Sequence, residues 1–194
     1  MRIPEAPGEL AAPAMDRERA IDVVLAKDAI YDVLCRYCHG IDRCDLETLR
    51  SAYWPEAYEA HGTFNGNAWE FARHMTENLR TGSLRTTQMI GNAWIQVEDD
   101  GRHARGEIYV LACIQAKDES GATVDRTVGG RYLDRYERRG AEWRIIDRAY
   151  VLDWNRNGPD TSIWDSGLYA MLKTRGERSP RDPWDQGLPP RRQD

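Results

Sequence analysis

The stretch TTQMIGNAWIQVEDDGRHARGEIYVLACIQAKDESGATVDRTVGGRYLDRYERRGAEWRIIDRAYVLDW, Thr86–Trp154, decides the fold. It breaks at three turn signals, EDDGR, KDESGA and RRGAE, each of which places a glycine among charged residues, as hairpin connections do. Between the breaks lie Thr86–Val97, His103–Ala116, Thr123–Arg138 and Glu142–Trp154, all rich in Val, Ile, Tyr, Thr and Trp. Residues of this kind fit a pleated, half-buried surface. The stretch therefore predicts four long strands joined by tight turns, an antiparallel meander.

Upstream the period changes. From Asp16 onward Ile21, Val24, Leu25, Ile30, Val33, Leu34, Tyr37 and Cys38 recur at helical spacing, and Gly40 offers a stop. A short helix is expected over Asp45–Trp54, ended by Pro55. Tyr58–Thr63 reads as a short strand and FNGN (64–67) as a turn with an Asn-Gly signal. Asn67 can cap a third helix carrying Trp69, Phe71, Ala72 and Met75. Helices first and sheet afterwards make the chain α+β. Three regions are expected: a flexible N-terminal arm over 1–15, one domain over 16–155, and a C-terminal extension over 156–194. In that extension a helix is expected over Thr161–Lys173, followed by an extended Pro- and Arg-rich tail.

The bulk composition narrows the function. The 194 residues carry a net charge of −5, so no electrostatic case exists for nucleic acid. No apolar run approaches the roughly 20 residues that span a bilayer, and no signal sequence is visible, so the cytoplasm is the expected compartment. Cys35 and Cys38 form a CxxC inside a helical pattern without a second ligand pair, which reads as small buried residues rather than zinc or redox chemistry. HExxH, Walker A and GxGxxG are all missing, so metal hydrolysis and nucleotide binding lack a signature, and no cofactor is expected. A curved sheet crossed by helices encloses space that side chains must line. The seven Trp and nine Tyr are suitable liners for an aromatic or polycyclic ligand, although most are expected in core or interfaces.

The runs YCHGIDRCDLETLRSAYWPEA, TTQMIGNAWIQVEDDGRHARGEIYV and GGRYLDRYERRGAEWRIIDRAYVLDW resemble SnoaL-like proteins of the nuclear transport factor 2-like group, over roughly residues 20–155. The resemblance implies a cone-shaped α+β barrel. The sequence looks like cofactor-independent lyases of that group, among them a bile-acid 7α-dehydratase, scytalone dehydratase and a γ-hexachlorocyclohexane dehydrochlorinase, with lignin-dimer γ-formaldehyde lyases in the same fold group. Carried over by resemblance, the acidic residue after the first helix is Asp42, its tyrosine partner Tyr37, and the last-strand arginine Arg148. The family's catalytic histidine falls on Gln88, and an amide has no useful basicity near neutrality.

A different base is therefore needed. His61 shares its strand face with Ala57 and Glu59, and an imidazole both takes and gives a proton. The expected centre is His61 with Asp42, aided by Tyr37 and by Arg148 as an oxyanion partner. Gln88 is expected to hold a substrate oxygen, and Tyr53, Trp54, Tyr109 and Tyr132 to wall the pocket. His39, His74 and His103 read as helix-end or solvated residues. The function expected is a cofactor-independent lyase acting on a hydroxylated aromatic or polycyclic molecule, by loss of water or of formaldehyde. The alternative is a non-catalytic binding or assembly protein, such as a dioxygenase-like small subunit. A homo-oligomer is expected, a trimer before a dimer, with the segment from Thr161 closing a pocket mouth or reaching a neighbour.

Overall fold

The computed structural model describes residues 16–187. The arm assigned to 1–15 and the end of the tail, 188–194, lie outside the described residues. Three helices pack on one six-stranded, mostly antiparallel sheet, the α+β arrangement expected.

Helix α1 spans Arg17–Arg43 and is capped by Asp16, whose side chain accepts the Glu18 and Arg19 N–H groups. It runs straight through Gly40 and ends at Cys44, in a left-handed conformation (φ 52°). Gly40 is thus not the stop the sequence implied. A Cβ there would sit 2.6 Å from the Cα, Cβ and N of Leu49, so the glycine is set by the close approach of helix α2, Leu46–Ser51.

The chain then enters strand β1, Tyr53–His61, which takes Tyr53 and Trp54 out of the expected helix. Pro55 lies inside this strand. It cannot donate to a ladder, and the pairing of β1 with β6 shifts register between Tyr53 and Tyr58. The expected FNGN turn is instead strand β2, Phe64–Asn67, with His61 opposite Phe64. The turn itself is Gly62–Thr63, and Gly62 supplies the positive φ (65°) that such a tight hairpin requires. Asn67 caps helix α3, Ala68–Gly82, as expected, accepting from Trp69 and Glu70 N–H at 2.9 and 3.2 Å.

The meander follows as β3 (Ser83–Val97), β4 (His103–Lys117), β5 (Thr123–Arg139) and β6 (Glu142–Pro159). The sheet order is β2-β1-β6-β5-β4-β3, and only β1 and β6 run parallel. Period-2 alternation sets the faces. On β4, Ile108 and Val110 turn toward the helices and Tyr109 turns away, 47 % exposed. The core gathers between the helices and the concave face: Ile30, Val33, Leu34, Ile41, Phe71, Ile108, Tyr132, Tyr136 and Ile145.

Beyond β6 the expected helix Thr161–Lys173 shrinks to one 3-10 turn, Gly167–Met171, with no buried residue. Without an apolar partner, a short helix has little to hold it. Residues 176–182 are not a loose tail. They fold over the end of α1, where Ser179 N–H donates to the Arg43 carbonyl at 2.7 Å and Arg43 reaches the Asp182 carboxylate at 3.3 Å.

Candidate active site

An apolar cavity of about 230 Å3 lies between the concave sheet face and the helices. Its aliphatic walls are Ile41, Met75, Leu79, Val110, Ala112, Ile114 and Val128; its polar liners are Tyr37, His61, Thr86, Gln88, Tyr132 and Tyr150. Four sequence-predicted residues therefore meet there: Tyr37, His61, Gln88 and Tyr132.

His61 ends β1 and points inward, as its alternation with Ala57 and Glu59 implied. Its ring stacks on Tyr150, with centroids 4.6 Å apart and planes 9° from parallel, and it leans on Phe71 at 5.0 Å. Nδ1 lies 2.9 Å from Glu59 Oε1. Glu59 is fully buried, and its second oxygen accepts the Tyr53 hydroxyl at 2.7 Å. With Glu59 as a carboxylate, which can only accept, Nδ1 is the donor of this pair and Nε2 is left for another partner. Among the described residues no hydrogen bond reaches Nε2. A buried carboxylate thus fixes both the tautomer and the plane of an imidazole that borders an apolar cavity. In the sequence Glu59 carries one signal of this role, its i, i+2 spacing from His61 on a strand.

Asp42 does not pair with His61, Tyr37 or Arg148. Its Oδ2 accepts the backbone N–H of Gln88 at 2.8 Å, and Oδ1 is buried without a partner. Burial raises its pKa, partly offset by the Gln88 N–H and by the charges of Arg43 and Arg178. The Gln88 side chain borders the cavity with its Oε1 also unpartnered. Arg178 arrives from the C-terminal segment and donates to the Asp42 carbonyl, to Thr86 Oγ1 at 2.7 Å and to Ser83 Oγ at 2.8 Å. Nothing in the sequence tied that arginine to the first helix.

Arg148 does not line the cavity as an oxyanion partner. Its guanidinium donates to both oxygens of Asp134, at 2.7 and 2.6 Å, and neither side chain has any exposed surface. It lies over the rings of Tyr37 and Tyr132 at 4.2 and 4.0 Å, a buried strut beneath the cavity floor. Burial pushes the Tyr37 and Tyr132 hydroxyls well above their usual pKa, with the charge of Glu59 adding to the rise at Tyr37, so both stay protonated.

The other expected walls lie elsewhere. Tyr53 is buried behind Glu59 rather than in the cavity. The Trp54 indole donates to the Glu137 carbonyl and is flanked by Arg139 and Arg144. Tyr109 is on the outer sheet face. No tryptophan is among the cavity liners. Cys35 and Cys38 on α1 are unpaired, and burial lifts the Cys38 thiol to about 12. Glu98, Asp100 and His103 cluster at the exposed β3–β4 turn, where Asp100 bonds His103 and its N–H, a turn lock away from the cavity. A family model described as a SnoaL-like domain matches residues 22–149.

The chain belongs to the SnoaL-like domain family.

This SnoaL-like chain shares its fold with a proposed scytalone dehydratase from Novosphingobium aromaticivorans, at TM-score 0.63 and 17 % identity over 71 % of this chain and 90 % of that one. A hexachlorocyclohexane dehydrochlorinase (LinA-type3) from Novosphingobium barchaimii superposes at TM-score 0.62 and 18 % identity, covering 74 % and 96 %. The β subunit of a proposed aromatic-ring-hydroxylating dioxygenase from N. aromaticivorans gives 0.54 and 19 %, covering 68 % and 92 %. No curated protein sequence matches the chain. Enzymes and an enzyme subunit thus share this SnoaL-like frame, and the fold alone assigns no chemistry.

Proposed function

We propose that the protein is a cofactor-independent lyase that acts on a hydroxylated small molecule inside the cavity, with His61 as the proton-transfer residue. The observation that carries this reading is the Glu59–His61 pair, a buried carboxylate holding an imidazole whose free nitrogen borders an apolar cavity. A base oriented in this way is what proton abstraction needs. In the dehydration form, Nε2 takes a proton from carbon, the electron pair forms the C=C bond, and the neighbouring C–O bond breaks. The imidazolium returns its proton to the departing hydroxyl, giving water. Glu59 stabilises the transient imidazolium. Tyr37, held protonated and accepting from Tyr132, donates a hydrogen bond to the leaving oxygen without transferring a proton. If the same imidazole deprotonates a primary hydroxyl instead, the adjacent C–C bond breaks, formaldehyde leaves, the freed electron pair forms a C=C bond as a neighbouring hydroxide departs, and the imidazolium returns its proton to that hydroxide, giving water.

The test is turnover of a panel of hydroxylated aryl-propane and steroid compounds, followed by mass spectrometry. His61→Gln and Glu59→Gln are expected to lose at least about 100-fold in kcat, the scale of general acid–base catalysis. Gln88→Ala is expected to raise KM more than it lowers kcat. Full activity in His61→Gln sinks the assignment. Wild-type protein that binds members of the panel but turns over none supports the dioxygenase-subunit-like alternative. We further propose self-association through the outer sheet face, where Tyr58, Trp94 and Leu133 border a hollow of about 540 Å3 and are all substantially exposed. A monomer by sedimentation at micromolar concentration would contradict this.

A further inference from the structure

The cavity volume constrains the substrate more tightly than the fold does. A volume of about 230 Å3 falls below the roughly 300–1,000 Å3 of pockets that enclose drug-sized ligands, so the molecule it encloses is small. That is one aromatic ring with a short side chain. A steroid or a two-ring lignin fragment overfills it. The ceiling that enforces the limit is Met75 and Leu79 from α3 with Ile41 from α1. The flat face is His61 stacked on Tyr150, with Tyr132 beside it at 5.8 Å from Tyr150.

The polar liners fix the functional group. His61 comes from β1 and Gln88 from β3, and the sheet order places β6, β5 and β4 between them, so the two enter from opposite flanks of the curved sheet. Gln88 is anchored through its backbone to Asp42, which stands behind the cavity wall, while its own side-chain Oε1 borders the cavity and lacks a partner. A buried polar group left unpaired is costly, and a ligand that pairs with it regains that cost. A carboxamide carries both a donor and an acceptor, which a hydroxyl matches because it can do either. A charged ligand fits poorly. No carboxylate, lysine or arginine lines the cavity, Arg148 is occupied by Asp134, and Arg178 is occupied by the Asp42 carbonyl, Thr86 and Ser83. An ion moved into such a site loses its hydration without a counter-charge.

We propose that the cavity takes a neutral, single-ring aromatic alcohol and that Gln88, backed by Asp42, is the residue that reads its hydroxyl. This rests on the acid–base reading for which end reacts, and replaces the polycyclic ligand that the aromatic content of the sequence had implied. The Asp42–residue 88 pair is then a recognition device, while proton transfer sits across the cavity on β1.

The test measures binding rather than turnover, so that it stands apart from the lyase assignment. Isothermal titration calorimetry compares phenethyl alcohol, ethylbenzene, naphthylethanol and cholate. Wild type is expected to bind phenethyl alcohol about fivefold more tightly than ethylbenzene, the scale of one net hydrogen bond. Gln88→Leu is expected to remove or reverse that preference. Naphthylethanol is expected to bind only when Leu79→Ala opens the ceiling, and cholate to bind neither protein. The proposal is overturned by equal affinities of wild type for the alcohol and the hydrocarbon, or by an unchanged ratio in Gln88→Leu. It is also overturned by wild-type affinity for cholate or naphthylethanol matching that for phenethyl alcohol. Should Gln88→Leu not fold, the wild-type ligand pair and the Leu79→Ala size series still decide. A binding pattern as expected with no turnover of any compound rejects the lyase reading alone.

Discussion

Replacing Asp134 by leucine is expected to destabilise the protein more than replacing Asp134 and Arg148 together. Both side chains are without solvent exposure, and two hydrogen bonds of 2.7 and 2.6 Å join them. The Tyr136 hydroxyl donates to the same carboxylate, and Arg148 Nη1 has no partner at all. Removing Asp134 leaves a guanidinium buried among the rings of Tyr37, Tyr132 and Tyr53 with no counter-charge. The cost of breaking one partner of a buried pair is about 3–5 kcal/mol. For a chain of this length that corresponds to a fall in Tm of roughly 6–20 °C. Arg148→Met is expected to cost a similar amount by stranding the carboxylate. In the double variant both desolvation penalties vanish and Met fills part of the guanidinium volume, so the part of the summed loss that is recovered exceeds the cost of the Arg148 change alone, about 3–5 kcal/mol, and the double variant is the more stable. Urea denaturation of the four proteins, followed by circular dichroism and tryptophan fluorescence, closes the cycle. An additive cycle, or a loss below about 1 kcal/mol for Asp134→Leu, would refute the description of Arg148 as a strut and return it to consideration as a catalytic group.

Gly40→Ala is expected to cost about 2–3 kcal/mol, because its Cβ would meet the Leu49 backbone at 2.6 Å and force α2 outward; a loss under about 0.5 kcal/mol by the same denaturation assay would mean that the α1–α2 approach is slack. Asp42→Asn tests the sign of a buried carboxylate. With the folded pKa raised above the ordinary value of 3.8, the native state binds more protons than the unfolded chain, so stability falls as pH rises through the window above 3.8. The Asn variant is therefore expected to be the more stable at pH 7 and to lose that advantage as the pH drops below the ordinary Asp range; a constant difference at all pH values contradicts this. Arg178→Ala removes a charge that lowers the Asp42 pKa, along with three hydrogen bonds, so it is expected to cost about 1–2 kcal/mol and to steepen the pH dependence across that window. Equal pH slopes in wild type and variant would show that the C-terminal segment does not reach Asp42 in solution.

The errors of the sequence reading have a common cause. Periodicity identifies which residues share a face, and alternation along the strand turns His61 inward. It does not say what a backbone or a distant segment brings opposite them. Pro55 was read as a helix stop, yet it sits within β1, because an edge-side register shift absorbs its missing N–H. Gly40 was read as a stop, yet the helix passes through it, because glycine serves close packing as readily as termination. Asn-Gly at 65–66 was read as a turn, but the hairpin closes two residues earlier at Gly62, and β2 takes the Asn-Gly pair.

The sequence by itself determined the α+β order, the four-strand meander with its turns, the Asp16 and Asn67 caps, and the inward face of His61. These follow from local rules: spacing, turn chemistry and capping act between residues a few positions apart. Only the tertiary structure decided that His61 answers to Glu59 rather than Asp42, that Arg148 is spent on Asp134, that Arg178 comes back to the first helix, and how large the cavity is. Those outcomes depend on strand pairing and on close packing of residues far apart in the chain, where a shift of a single ångström changes the partner of a buried charge.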